Sequence, residues 1–379
     1  MWPIYFSICL FLIYASLISY YRYGWMKLPA FPFAPKTPNN YTTTVSVIIP
    51  ARNETANIAN VINSVLAQTY PANLLEIIVV DDHSTDDTAE IASNFSLHYP
   101  QVKLIRLGDD NTKAYKKKAI EKGIGLATGD LIVATDADCL HEIYWIESLV
   151  QAQNQNNAQF IAAPVVFTTE NNLLSMFQTL DFMTLQGITA ASVFLRFHTM
   201  CNGANLAYTK QSFIDVNGFA GIDNIPTGDD MLLMHKIYTK FPTQVIYLKS
   251  KAAITSTPPT DTWKGFFNQR IRWASKATHY DDQRIFWALL LVYLFNVWFL
   301  VLLVAAFFSI QFLWVLIGLM AAKTLVELWF LVPVAKFFNK TNCLAWFPFL
   351  QPIHIIYTVI AGWLGKFGKY EWKGRVVSK

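Results

Sequence analysis

Cysteine and charge are the scarce materials of this sequence. Its 379 residues hold four cysteines, Cys9, Cys139, Cys201 and Cys343. They lie far apart and form no CxxC or Cys/His cluster, which excludes a zinc site of recognisable spacing. They read as free thiols facing a reducing compartment, two in apolar segments and two beside the motifs described below. Charged side chains make up 15% of the chain and the net charge is only +4. Both signs are dispersed through the first 280 residues, so the basic footprint of a nucleic-acid binder is absent.

What is abundant is apolar surface. Apolar residues supply 53% of the chain, with 28 phenylalanines, more than a soluble domain readily buries. Residues 1–21 carry no side-chain charge and match the ~20 residues that cross a bilayer. A cleavable signal peptide carries its positive charge before the apolar run, whereas Arg22 and Lys27 follow it. A retained span is therefore expected, with the N-terminus outside and the next domain in the cytosol. The connector 22–44 contains Pro29, Pro32, Pro35 and Pro38, each lacking the backbone donor that a regular helix needs.

From 45 to 256 short apolar runs alternate with amphipathic ones, the pattern of an α/β domain. Continuous β-branched runs at 45–49 and 77–80 suit central parallel strands covered on both faces. Helices are expected at 53–68, 85–99 and 113–127, with further strands at 102–106 and 131–134, giving the order βαβαβαβ. A membrane-proximal segment, 257–284, leads into a membrane region at 285–365. Apolar segments 286–308 and 312–334 are both long enough to span. A third segment, 344–364, is broken by Pro348 and Pro352 and reads as a kinked span or a re-entrant piece. A complete crossing there would expel the tail 366–379, whose Lys366, Lys369, Lys373, Arg375 and Lys379 favour the cytosolic side, so the re-entrant or interfacial form is expected. Lys323 and Glu327 lie four apart on one face of the second segment; they either neutralise each other or face a lipid-acceptor cleft.

Ligands of open α/β sheets bind beyond the carboxyl ends of the strands. Three such ends bear acids: Pro50-Ala51-Arg52-Asn53-Glu54, Asp81-Asp82-His83-Ser84 and Asp136-Ala137-Asp138. A single carboxylate there can be only a helix cap. Asp136 and Asp138, set together at one strand exit, suit a hard cation such as Mg²⁺ or Mn²⁺, which takes one or two carboxylates plus phosphate oxygens. Gly123, Gly125 and Gly129 do not form the dinucleotide fingerprint, because they precede a strand instead of following one. Further on, Thr227-Gly228-Asp229-Asp230 heads a helical pattern, and Gln269-Arg270-Ile271-Arg272-Trp273 lies just before the membrane region.

Taken in order from Val45 to Trp273, these segments resemble the family 2 glycosyltransferases, the inverting, largely membrane-bound class that includes cellulose, chitin and hyaluronan synthases and ceramide glucosyltransferases. The resemblance implies a GT-A-type, Rossmann-like α/β domain with a mostly parallel central sheet, flanked by transmembrane helices of the inner or plasma membrane. It implies a nucleotide-sugar donor, expected to be a UDP-sugar, and Mg²⁺ or Mn²⁺ held by Asp136 and Asp138. Donor contacts fall on Pro50, Arg52, Glu54, Asp81 or Asp82, Lys116 and Asp136. Lys117 and Lys118 either share the approach to the diphosphate or form a solvated face. Asp229 and Asp230 match the family's acidic pair, Asp230 as catalytic base; Gln269, Arg272 and Trp273 match its Gln-x-x-Arg-Trp motif. The acceptor region falls on Asn202, Gly203, Ala204 and Trp273. So few spans resemble the members that glucosylate a membrane lipid, of ceramide, hopanoid or carotenoid type. A processive polysaccharide synthase is the alternative, and a non-catalytic receptor or scaffold with a transferase-like domain a second.

Overall fold

The computed structural model describes residues 2–35, 41–108, 115–168, 172–275, 282–367, 370–372 and 375–377. The expected connector and the basic tail fall partly outside the described residues. The chain forms two compact units, one of Pro29–Thr168 with Thr199–Pro258, the other of Met1–Leu28, Thr169–His198 and Pro259–Lys379.

After the first helix, α1 (Trp2–Lys27), the α/β unit begins. It runs β1 (Val45–Ala51), α2 (Ile58–Leu66), β2 (Leu75–Asp81), α3 (Thr88–His98), β3 (Val102–Arg106), α4 (Tyr115–Leu126) and β4 (Leu131–Ala134), the expected alternation. Next come β5 (Leu140–His141), α5 (Trp145–Asn156), β6 (Phe160–Ala162) and β7 (Val165–Phe167). After α6 (Leu173–Leu195), which belongs to the other unit, it resumes with β8 (Leu206–Thr209), α7 (Lys210–Asp215), α8 (Asp229–Lys240), β9 (Val245–Tyr247) and β10 (Thr255–Thr257). The main sheet has the order β3-β2-β1-β4-β8-β6-β9. Strands β3, β2, β1 and β4 are mutually parallel, and only the pairings of β8 with β4 and β6 are antiparallel. A separate three-stranded sheet has the order β5-β10-β7.

The β-branched runs account for the centre. Every residue of β2 and all of β1 except Pro50 are buried, as expected of parallel strands covered on both faces. Gly123 in α4 has a packing role: a Cβ there would stand 2.9 Å from Ile48 Cγ2 on β1, so glycine lets the helix close onto the strand. The helix expected at 53–68 starts only at Ile58. Asn53 is in the left-handed region, with φ 51°, which stops helix from beginning there.

The second unit gathers α1, α6, α9 (Trp263–Ser275), α10 (Gln283–Ala306), α11 (Ile310–Phe337) and α12 (Phe347–Phe367). Among the described residues, four helices are long and apolar enough to cross a membrane: Pro3–Lys27, Gln283–Ala306, Ile310–Phe337 and Thr341–Lys366. Within the last of these, a 3-10 turn at Thr341–Trp346 leads into α12, which runs from Phe347 to Phe367 with Pro352 inside it. Pro348 falls in its first turn, where a missing donor costs nothing. A second difference concerns α6, which lies within the 45–256 stretch but belongs to the helical unit.

Lys323 and Glu327 neutralise each other. The fully buried Lys323 ammonium lies 2.8 Å from Glu327 Oε1 and donates to Gln351 Oε1 at 2.7 Å. Gln351 Nε2 and the Tyr14 hydroxyl both donate to the Glu327 carboxylate. The network thus ties α1, α11 and α12 through one satisfied ion pair. Breaking such a pair leaves a buried charge and costs about 3–5 kcal/mol, whereas replacing both partners by apolar groups is often neutral. Lys323→Met should accordingly lower the unfolding temperature of the detergent-solubilised protein markedly, and the double variant Lys323→Met with Glu327→Leu should recover most of the loss in the same melting experiment.

Candidate active site

The loops leaving β1 and β2 are stitched into one ledge. Arg52 Nη1 donates to the Asp82 and His83 carbonyls at 2.7 and 3.1 Å. Asn53 N–H donates to Ser84 Oγ, and Thr85 N–H donates back to Asn53 Oδ1. Glu54 N–H donates to Thr88 Oγ1. Burial works against the Asp86 carboxylate, but hydrogen bonds from Thr55 and Thr88 outweigh it and hold the group at about 2. Asn53 and His83 both adopt left-handed backbone, with φ 51° and 55°, a conformation that carries a strain cost and concentrates at ligand sites.

The two acids at the end of β2 differ in their engagement. Asp82 accepts or pairs with His83 Nδ1 at 3.0 Å and faces the Arg52 guanidinium at 4.0 Å. Asp81 is 5% exposed, and its Oδ1 finds no hydrogen-bond partner among the described residues. A buried carboxylate oxygen left without a donor is costly, and one at the mouth of a strand is available to the N–H of a ligand.

A second cluster forms around Lys116, near the start of α4. Its ammonium lies 2.6 Å from Asp136 Oδ1, beyond β4, and 3.3 Å from Asp229 Oδ2, at the start of α8. Burial pushes this lysine down, but the charges of Asp136, Asp229 and Asp230 outweigh it and hold it well above the ordinary value. Gly228, with φ 80°, turns the chain into α8. Asp230 is 8% exposed; its Oδ2 accepts from Gly203 N–H at 3.2 Å and its Oδ1 from Met231 N–H at 2.8 Å. Two backbone donors thus orient the carboxylate. A Cβ on Gly203 would meet Lys116 Nζ at 3.3 Å and Asp229 Oδ2 at 3.5 Å, so this small residue lines the same cluster. Asn202 caps its own turn by accepting from Ala204 N–H, and the Ala204 carbonyl accepts from Thr135 Oγ1.

The fit of Mg²⁺ or Mn²⁺ can be judged from these donors. Asp136 is part-exposed and already carries a cation, the Lys116 ammonium, on Oδ1. Asp138 stands two residues on and is half-buried. Among the described residues no three His, Cys, Asp or Glu side chains cluster for a metal. An all-oxygen pair of carboxylates without a protein cage is what Mg²⁺ takes when substrate phosphates complete its shell. Asp136 and Asp138 fit that use. Burial pushes the neighbouring Cys139 thiol well up, which leaves it inert as a ligand or nucleophile.

Gln269, Arg272 and Trp273 lie half-buried on α9 of the helical unit. Gln269 and Trp273 are held by Arg270, inside the same motif. Its Nη1 donates to Gln269 Oε1 at 2.8 Å, and its guanidinium stacks 4.2 Å from the Trp273 ring. It pairs with Asp181 of α6 at 2.8 Å, and Tyr357 of α12 donates to the same carboxylate. Sequence reasoning passed over Asp181 and Arg270. The available signal was that Asp181 is the one charged residue of the 23-residue helix Leu173–Leu195. Lysine has neither the planar fork nor the stacking face of arginine. Arg270→Lys should therefore lower transfer roughly tenfold in a steady-state assay, with nucleotide binding measured by calorimetry changed less than threefold; the magnitude is that of about 1.4 kcal/mol in positioning.

Comparison with known proteins gives the same reading of fold and family. The family described as "Glycosyl transferase family 2" matches residues 46–216, and "Glycosyl transferase family group 2" matches residues 132–362, more than half of the chain. Among curated relatives, "Probable glycosyltransferase YdaM" of Bacillus subtilis (strain 168) is 30% identical over 61% of this chain and 54% of its own length. A poly-beta-1,6-N-acetyl-D-glucosamine synthase of Staphylococcus epidermidis is 26% identical over 66% of this chain and 58% of its own. The 4,4'-diaponeurosporenoate glycosyltransferase of Staphylococcus haemolyticus is 32% identical over 47% and 46%. The chain thus spans about half the length of these relatives. A mannosyltransferase from Pyrobaculum calidifontis, solved with GDP-Man and Mn²⁺, superposes with a TM-score of 0.57 at 17% identity, covering 95% of this chain and 99% of its own, a likeness of fold. With one family description running across all three acid-bearing strand ends and the other covering more than half of the chain, from Ile132 on into α12, the chain belongs to the family 2 glycosyltransferases.

Proposed function

We propose that this glycosyltransferase moves a single sugar from a nucleotide-sugar to a hydroxyl of a membrane lipid, with inversion, and with Asp230 as the general base. The observation that carries the reading is Asp230 itself. It is a nearly buried carboxylate whose two oxygens are oriented by the Gly203 and Met231 amides, beside a lysine bound to the strand-end acid Asp136. Inverting transfer needs a carboxylate within hydrogen-bond reach of the attacking hydroxyl, and general-base catalysis of this kind is worth about 10²–10⁴ in rate.

Each of the other groups has a matching task. Asp81, with its unpartnered buried oxygen, accepts from the nucleotide base, and Arg52, Pro50 and Glu54 form the ledge around it. Lys116 brings a positive charge to the diphosphate, where leaving-group charge develops. A bound Mg²⁺ or Mn²⁺ on Asp136 and Asp138 adds Lewis-acid neutralisation of that diphosphate. We assign Gln269, Arg272 and Trp273 to the transfer step on the strength of their motif, Arg272 for its phosphate-matching fork. Asn202, Gly203 and Ala204 line the acceptor region. The donor is a UDP-sugar in this reading, although the structural neighbour carries GDP-Man. The sidedness follows the lysines and arginines flanking the first span, with the α/β unit in the cytosol.

Asp230→Asn should reduce transfer by about 10³ while nucleotide binding survives within threefold, as read by single-turnover assay and calorimetry; retained turnover would refute the base. Chelation of divalent cations should abolish transfer, and Mn²⁺ or Mg²⁺ should restore it.

One observation favours a second reading, processive polysaccharide synthesis: the poly-N-acetylglucosamine synthase relative covers more of the chain than the carotenoid-type one. Purified protein given labelled donors and a lipid extract should yield one chloroform-soluble monoglycosylated product; labelled products of high molecular mass would establish the polymerase instead.

A further inference from the structure

Lys116 and Lys117 are neighbours on one turn of α4, yet they point to different partners of the same motif. Lys116 reaches the side chains of Asp136 and Asp229. Lys117 is 2% exposed, and its ammonium donates to the carbonyls of Ile225 and Thr227 at 2.6 and 2.9 Å. Those carbonyls belong to the last turn of chain before Gly228, whose left-handed backbone aims Asp229 and Asp230. A buried lysine costs several kcal/mol to desolvate unless it is fully bonded, and here that cost is spent on a loop with no strand or helix of its own between Asp215 and Asp229.

We propose that Lys117 is a positioning residue for transfer. It locks the 222–228 loop to α4, and so couples the seat of the donor diphosphate at Lys116 to the direction of the Asp230 carboxylate. The inference rests on the reading of Asp230 as base. The mechanical logic is short. Lys116 and Lys117 share one backbone, so a diphosphate that draws Lys116 into place also settles the turn of helix that holds Ile225 and Thr227. The carboxylate two residues beyond Gly228 inherits that order. Both oxygens of Asp230 are already oriented by backbone amides, and a carboxylate held this way works only while the loop delivering it stays put.

The test uses the full chain in detergent or nanodiscs, with turnover expressed per donor-binding site from calorimetric titration of UDP or GDP with Mn²⁺. Lys117→Met keeps the alkyl stem and removes the donor. It should lower kcat per site at least thirtyfold while nucleotide affinity and donor KM stay within threefold; Lys117→Arg, which can still donate to both carbonyls, should come back to within about fivefold of wild type. A purely structural lysine would reduce the number of binding sites and leave kcat per site intact. The inference is overturned by Lys117→Met turning over within threefold of wild type per site, by nucleotide affinity falling in step with kcat, or by Lys117→Arg being as slow as Lys117→Met. Hydrogen exchange on the unmodified protein gives a measure independent of variant folding: the amides of 222–231 should slow at least threefold when UDP or GDP with Mn²⁺ binds, and unchanged exchange would refute the coupling. Asp230→Asn, run alongside, separates the two claims, since its retained turnover refutes the base while the Lys117 comparison and the exchange data judge the loop.

Discussion

A lysine ammonium shared between carboxylates from two distant stretches of chain makes the rest of the α/β unit's chemistry feasible. Asp136 leaves the fourth parallel strand and Asp229 opens a helix about ninety residues later, yet both close on Lys116. Acids gathered this densely repel one another at short range in a medium of low polarity. The cation between them lets the fold keep them together, and the cost of burying it is met by their combined field. Parallel strands then decide where the acids stand, since every βα connection delivers its loop to the same edge of the sheet. The ledge of Arg52, Asn53, Ser84 and Thr88 follows from the same rule, two neighbouring strands handing their loops to one place.

Much of this was legible from residue types alone. β3 and β4 occupy the residues expected of them, 102–106 and 131–134, and strand exits with acids flag themselves. The helix starts were less legible because the loops before them consume side chains in local bonds. Asn53 turns left-handed and exchanges hydrogen bonds with Ser84 and Thr85, a choice decided by a partner loop thirty residues away. Lys117 shows the limit most clearly. A run of three lysines reads as a donor contact or a wet face, and only the carbonyls of Ile225 and Thr227, more than a hundred residues on, make one of them a buried fastener. Helix α6 lies inside the 45–256 stretch read as α/β but belongs to the helical unit; an apolar helix looks the same whether a sheet or other helices cover it. The family likeness covers the motif residues but is silent on Arg270, whose stacking on Trp273 and bond to Gln269 depend on Asp181.

The helical unit shows how polar groups become tolerable among apolar helices. Each ionisable group in the pairs described has its opposite within a few ångströms: Lys323 with Glu327, and Arg270 with Asp181. Both pairs recruit further donors from other helices, Tyr14 and Gln351 in the first, Tyr357 in the second. Hydrogen bonds between helices in lipid average well under the strength expected from desolvation alone, because partners are also found in the unassembled state. Their value here lies in geometry, since a carboxylate with several donors accepts only one arrangement of the helices around it.

The Tyr14–Glu327–Lys323–Gln351 network has a further consequence, for biosynthesis. Tyr14 lies in α1 and Gln351 in α12, and 313 positions separate Tyr14 from Glu327. The α/β unit is translated wholly between them, and domains fold largely as units during synthesis. The hydroxyl of Tyr14 can meet its carboxylate only once Glu327 has been made. The network can therefore close only after the whole α/β unit has been translated.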